Sequence, residues 1–209
     1  HVKPVVFWQQ ENLLQQYLPN LDRYIVLSDY DKRDYMEKLG IDCEVKINPR
    51  SFVSEKKCDM KSKRFLMATR FVYAKGLDLM MESFEEFCKE DSEWELDIIG
   101  DGDLFDQIRA DAKKRHLEKR VHFVGYTNEP EKYYLNSSVF LLPSRWEGWP
   151  MVIMEAFEFG LPVIAYHMGA MDLIIDDGKT GFLPEAFEPH KFAQAMLKLA
   201  HDEELRARM

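Results

Sequence analysis

From residue 64 onward, short runs of consecutive apolar residues alternate with longer segments whose apolar positions recur every three or four residues. Unbroken runs suit strands buried on both faces, and the longer period suits helices with one buried stripe. The predicted strands are RFLMAT (64–69), WELDIIG (94–100), VHFVG (121–125), SVFLLP (138–143) and LPVIAY (161–166). The first predicted helix covers 77–89, with Leu79, Met80, Phe84 and Phe87 on one face, and the second runs from an Asp103 cap to about His116. Others follow over 129–135 and 150–160; the last has Pro150 at its first turn and Gly160 after its end, the usual punctuation of a helix. A short helix near 171–175, a turn and strand in GKTGFL, and a helix from about Pro189 complete the pattern.

Upstream, DRYIVLS (22–28) and EVKIN (44–48) read as short strands around a helix over 29–39 that Gly40 stops. Residues 49–63 are polar and lysine-rich without a sustained period, which marks a linker. The expected organisation is therefore terminal αβ elements of one domain over 1–48, an interdomain linker over 49–63, and a second domain over 64–209. Strands alternating with helices predict an α/β, Rossmann-like, doubly wound parallel sheet. Ligands bind such sheets beyond the carboxyl ends of the strands. That directs attention to the loops after Thr69, Gly100, Gly125 and Pro143, where the polar residues gather.

A chain of 209 residues is long enough for one good domain and too short for two full ones. It opens on His1, and its end, DEELRARM, falls inside a predicted helix, so both ends read as cut from something longer. The net charge of -9 argues against nucleic-acid binding, which needs a surplus of lysine and arginine. The basic run from Lys113 to Arg120 reads as a solvated helix end. Cys43, Cys58 and Cys88 are widely spaced and form no CxxC pair, which fits a reducing, cytoplasmic setting and offers no zinc site. No apolar run reaches the length of a membrane span, and no signal peptide opens the chain.

The strongest chemical signal is the pair Glu147 and Glu155 in SRWEGWPMVIMEAFEFGLPVIA. Along a helix their eight-residue spacing spans about 12 Å, close to the reach from a nucleotide's ribose across its pyrophosphate to a sugar ring. Between them, the backbone N–H groups of Gly148, Trp149, Met151 and Val152, at a helix start opened by Pro150, form an anion site suited to a diphosphate. Met151, Val152, Ile153, Met154, Ala156 and Phe157 are all apolar, so this helix is expected to be mostly buried and Glu155 to need a partner. A second signal is RFVYAKG (70–76). Arg70 offers a planar fork for phosphate oxygens, and Lys75 adds a compact charge at the next helix. Gly100-Asp101-Gly102 and Gly125-Tyr126 close two further strands.

These residues resemble retaining glycosyltransferase family 4, whose signature is E-x7-E followed by E-A-x3-G-x-P-V-I-A, with an upstream R-x4-K-G. The resemblance implies the GT-B fold: two Rossmann-like domains facing a cleft, this chain supplying the donor-binding one and the acceptor engaging the other. It implies that Arg70 and Lys75 hold the donor diphosphate, that Glu155 binds the ribose, that Glu147 sits by the transferred sugar, and that Gly125 and Tyr126 lie near the base. It also implies a nucleotide-diphosphate sugar as donor, no cofactor and no metal. The acceptor would be a carbohydrate or lipid-linked hydroxyl, in bacterial surface polysaccharide or lipopolysaccharide synthesis with peripheral membrane contact. This chain departs from the family pattern at Thr69, where glycine is frequent. It departs again in GAMDL (169–173), where Ala170 and Leu173 replace the glycine and glutamate of G-G-x-x-E. His167 is given no catalytic role.

A dinucleotide dehydrogenase would need G-x-G-x-x-G after a strand, and the segment from Gly100 to Phe105 lacks the third glycine. A P-loop is excluded because DGKTG (177–181) has no glycine at the required upstream spacing. Two alternatives stay open: a nucleotide-sugar epimerase on the same scaffold, and a non-catalytic nucleotide-sugar-binding module.

Overall fold

The computed structural model describes residues 22–49 and 53–209. Residues 1–21 of the expected upstream αβ segment and residues 50–52 of the expected linker lie outside the described ones. The chain divides into two compact units, His1–Ile47 and Asn48–Met209.

In the first unit, β1 (Ile25–Val26) and β2 (Glu44–Val45) pair in parallel around α1 (Asp29–Leu39). Ser28 caps α1 by accepting the Asp31 N–H at 3.1 Å, and Gly40 ends it in the left-handed conformation.

The second unit is an α/β, Rossmann-like fold. Its strands are β3 (Arg64–Ala68), β4 (Glu95–Ile99), β5 (Val121–Gly125), β6 (Val139–Leu142), β7 (Val163–Ala165) and β8 (Gly181–Phe182). They form one parallel six-stranded sheet in the order β5-β4-β3-β6-β7-β8. The helices are α2 (Leu77–Glu90), α3 (Phe105–Lys114), α4 (Glu131–Leu135), α5 (Met151–Glu158), α6 (Pro189–His201) and α7 (Glu203–Arg208). Alternation along each strand sends side chains to opposite faces. Phe65, Met67, Leu96, Ile98 and Leu141 join a core with Phe84 and Phe87 of α2, Ile108 of α3 and Phe192 of α6. Leu66, Ala68, Phe140 and Leu142 join a second core with Tyr134 of α4 and Ile153 of α5. Each fully buried Phe or Leu stabilises by about 1.5–3 kcal/mol relative to exposure.

Two helices differ from the sequence pattern. Asp103 does not cap α3: the capping position falls to Leu104, and no side chain closes the first turn. The entry is held by backbone instead, with the Leu104 N–H bound to the Phe71 carbonyl at 3.0 Å, because this turn is packed on the β3–α2 turn. Helix α5 buries only Ile153 and Ala156 fully, since its N-terminal end rims a cleft. Its C-terminal end is clasped by the segment after Val53: the Cys58 N–H reaches the Phe159 carbonyl at 2.9 Å, and Lys57 Nζ donates to the Glu158 carbonyl. These bonds satisfy carbonyls that a helix end leaves open.

Candidate functional site

The chain runs outward from β3 through β4 to β5, then returns to lay β6 on the other side of β3. The β3–α2 and β6–α5 loops therefore diverge around a switch point, the place where parallel sheets open a crevice. Gly76 brings the two loops together. It has φ 64°, and a Cβ there would lie 2.0 Å from the Pro143 carbonyl oxygen, so only glycine fits. The adjacent Lys75 then reaches Glu147, Nζ to Oε1 at 2.7 Å, with side-chain exposures of 19% and 8%. Ser144 Oγ donates to the same oxygen at 2.7 Å. Oε2 of Glu147 takes no hydrogen bond among the described residues, and Glu147 lines neither of the two cavities nearby.

Beside this pair lies a cavity of about 330 Å³, walled by Thr69, Arg70, Lys75, Gly100, Tyr126 and Val152 among others. Arg70 is exposed, and its guanidinium has no hydrogen bond or ion pair among the described residues. Thr69 needs no left-handed backbone, which explains how it replaces glycine. Gly100 takes the close approach instead: a Cβ there would lie 1.8 Å from the Thr69 carbonyl oxygen. The first turn of α5 has no side-chain cap and no acidic residue, so its N–H groups present positive charge beside the cavity.

Glu155 lines an adjoining cavity of about 530 Å³ with Tyr134, Lys56 and Pro130, and Pro130 borders both cavities. The partner that its surroundings demand is the Tyr134 hydroxyl, which donates to Oε2 at 2.8 Å. Tyr134 is buried and stacked between Phe140 and Phe159, and burial, followed by the Glu155 charge, pushes its phenol far above the usual range. Gly125 has φ 80°, and Tyr126 is 77% exposed at the rim.

The structure thus brings together Arg70, Lys75, Glu147, Tyr126 and Val152, with Glu155 next door. Gly148, Trp149, Pro150 and Met151 line neither cavity; Gly148 is exposed, and the buried Trp149 indole N–H has no partner among the described residues. Asp172 and Leu173 are exposed and line neither cavity. Sequence reasoning missed Ser144, Tyr134 and Arg145. Arg145 binds Asp78 through Nη1 at 2.8 Å and Nη2 at 2.5 Å. None of the three had a signal in the sequence, because their roles depend on which loops meet in space. Among the described residues there is no cluster of three His, Cys, Asp or Glu suited to a metal ion, and no helix is long and apolar enough to cross a membrane.

The profile of the family described as glycosyl transferases group 1 matches residues 50–209. The chain belongs to that family. Group 1 relatives include an uncharacterized glycosyltransferase of Haemophilus influenzae, 28% identical over 191 residues, which cover 90% of this chain and 54% of the relative. The amylovoran biosynthesis glycosyltransferase AmsD of Erwinia amylovora is 34% identical over 120 residues, 56% of this chain and 34% of its own length. The poly(ribitol-phosphate) α-N-acetylglucosaminyltransferase of Staphylococcus aureus is 27% identical over 211 residues, 96% of this chain and 41% of its own length. The chain thus spans between a third and just over half of these group 1 proteins. Among solved structures, S. aureus TarM superposes with a TM-score of 0.83 at 24% identity, over 96% of this chain and 41% of TarM. The lipopolysaccharide outer core galactosyltransferase WaaB superposes with a TM-score of 0.72 at 25% identity, over 90% of this chain and 57% of WaaB.

Proposed function

We propose that the chain carries the donor-binding half of a retaining, metal-independent glycosyltransferase that uses a nucleotide-diphosphate sugar. One observation carries this reading: an unengaged Arg70 fork and Lys75 share a cavity beside the uncapped N-terminus of α5, at the switch point of a group 1 fold. Such a place attracts a diphosphate.

In this reading the diphosphate lies between Arg70, Lys75 and the start of α5. The nucleoside extends toward Tyr126, and the ribose meets Glu155, whose Oε1 takes no hydrogen bond among the described residues. Glu147 holds the transferred sugar through Oε2 and orients it. In the transfer step the bond from the anomeric carbon to the diphosphate oxygen breaks, and the leaving diphosphate gains charge. Arg70, Lys75 and the helix dipole stabilise that charge from fixed positions. The acceptor oxygen bonds to the same face of the anomeric carbon, and its proton passes to the departing phosphate oxygen. Glu147 has its Oε1 engaged by Lys75 and Ser144, which favours orientation over covalent attack.

The upstream residues 1–48 belong to an acceptor-side domain in this proposal, with 49–63 as its linker to the donor domain. The relatives named for amylovoran biosynthesis and for poly(ribitol-phosphate) support a surface polysaccharide or lipid-linked acceptor, met at the cytoplasmic face of a membrane in this proposal. Free thiols at Cys43, Cys58 and Cys88 support a reducing compartment.

The test is a thermal-shift and calorimetric panel of UDP, GDP, ADP and their sugars. At least one is expected to raise Tm at saturation. Lys75→Gln should weaken that nucleoside diphosphate by about 1.5–3 kcal/mol while leaving the bare nucleoside nearly unaffected. Glu155→Ala should weaken both, since both carry the ribose. A panel with no stabilising ligand sinks the reading; equal losses for both ligands in Lys75→Gln remove the diphosphate from Lys75.

A further inference from the structure

We infer that Arg145 is a positioning residue: it staples the lysine-bearing loop to the glutamate-bearing loop, so that Lys75 and Glu147 meet a donor diphosphate in one fixed geometry. The inference rests on the donor reading above and adds a residue to it.

The two loops come from strands far apart in sequence and share no covalent constraint near the site. Arg145 joins them by four kinds of contact. Its backbone N–H donates to the Ala74 carbonyl at 2.7 Å. Nη1 donates to the Tyr73 carbonyl at 2.9 Å and to Asp78 Oδ1 at 2.8 Å. Nη2 completes a two-pronged pair with Asp78 Oδ2 at 2.5 Å, in the first turn of α2. The guanidinium also lies 3.9 Å from the centre of the Tyr73 ring, which in turn contacts Trp146 at 6.0 Å between centroids.

Every one of these partners other than Trp146 sits on the β3–α2 segment. One residue, Ala74, separates Tyr73 from Lys75, and one residue, Trp146, separates Arg145 from Glu147. The lever from the staple to the ion pair is therefore short on both sides. With a side-chain exposure of 12% and its fork already filled, Arg145 is poorly placed to donate to a diphosphate itself. It acts through Lys75 and Glu147. Lysine at this position would keep the charge but lose the fork and the flat face stacked on Tyr73.

The experiment compares the unaltered full chain with Arg145→Lys and Asp78→Asn. The probes are whichever of UDP, GDP or ADP raises the Tm of the unaltered chain, and its parent nucleoside. Both variants are expected to lose about tenfold in affinity for the diphosphate, because small misplacements of positioned charges are costly. Affinity for the nucleoside should stay within about twofold, a split that general loosening of the fold would not give. Unchanged diphosphate affinity, or equal losses for both probes, overturns the inference while leaving the donor reading intact. If Arg145→Lys does not fold, Asp78→Asn alone decides by the same comparison. If the unaltered chain binds none of the three diphosphates, the donor reading fails and this inference falls with it.

Discussion

Asp91 and Asp97 carry the same side chain and are driven in opposite directions. Asp91 Oδ1 accepts the Glu93 and Trp94 N–H groups at 2.8 Å each and pairs with Arg120 at 3.0 Å. Burial works against its charge, but those N–H bonds, His201 and Arg120 outweigh it and hold the carboxyl below its ordinary value. Its stabilising contribution is therefore present above about pH 4 and is lost as pH falls through the lowered value. Asp91→Asn is expected to cost about 1–3 kcal/mol at pH 7, measured by urea unfolding, with the gap to the unaltered chain closing in acid. Asp97 sits within β4, where burial raises its carboxyl despite Arg64 at 2.8 Å. That raised value makes its ionised form a cost once pH climbs past it. Asp97→Asn should leave the Tm at pH 7 unchanged or higher; a clear fall would mean the Arg64 pair outweighs burial. Neither outcome was legible in the sequence, since DSEWELD gives four acidic residues and no hint that one of them is wrapped by N–H groups.

At the scale of elements, the strands and most helices were legible because apolar periodicity is a local property. The α2 stripe of Met80, Phe84 and Phe87 is buried as its spacing required, with Leu77 and Met81 added and Leu79 only partly covered. Capping at α3 and burial of α5 were not legible, because both depend on a neighbouring turn or an open cleft rather than on the residues themselves. Helix α2 also carries Cys88, whose thiol burial pushes up to about 11 from 9.0. A raised thiol favours the fold fully below the unfolded value and ceases to do so as pH rises toward 11. The Tm of the unaltered chain should therefore fall between pH 9 and 11, and less steeply in Cys88→Ala. Equal slopes would place Cys88 in easier contact with water than its packing indicates.

For the whole molecule, alternation of strands and helices was enough to foresee a parallel α/β sheet, and the paired acidic and basic motifs fall on two loops that meet at its switch point. The order of strands was not written in that alternation. It decides everything about the cleft, because β3 and β6 lie side by side although α2, β4, α3, β5 and α4 intervene in the chain. Contacts between such distant segments form slowly, since a long loop must close before any of them repays its entropy. In the donor reading proposed above, nucleotide capture is accordingly a stopwatch for maturation of the chain. When denatured protein is diluted into buffer, helical circular dichroism should recover first, and ligand uptake should return only with the slowest kinetic phase. Uptake arriving with the early signal would mean that the halves of the crevice find each other before the sheet between them is built.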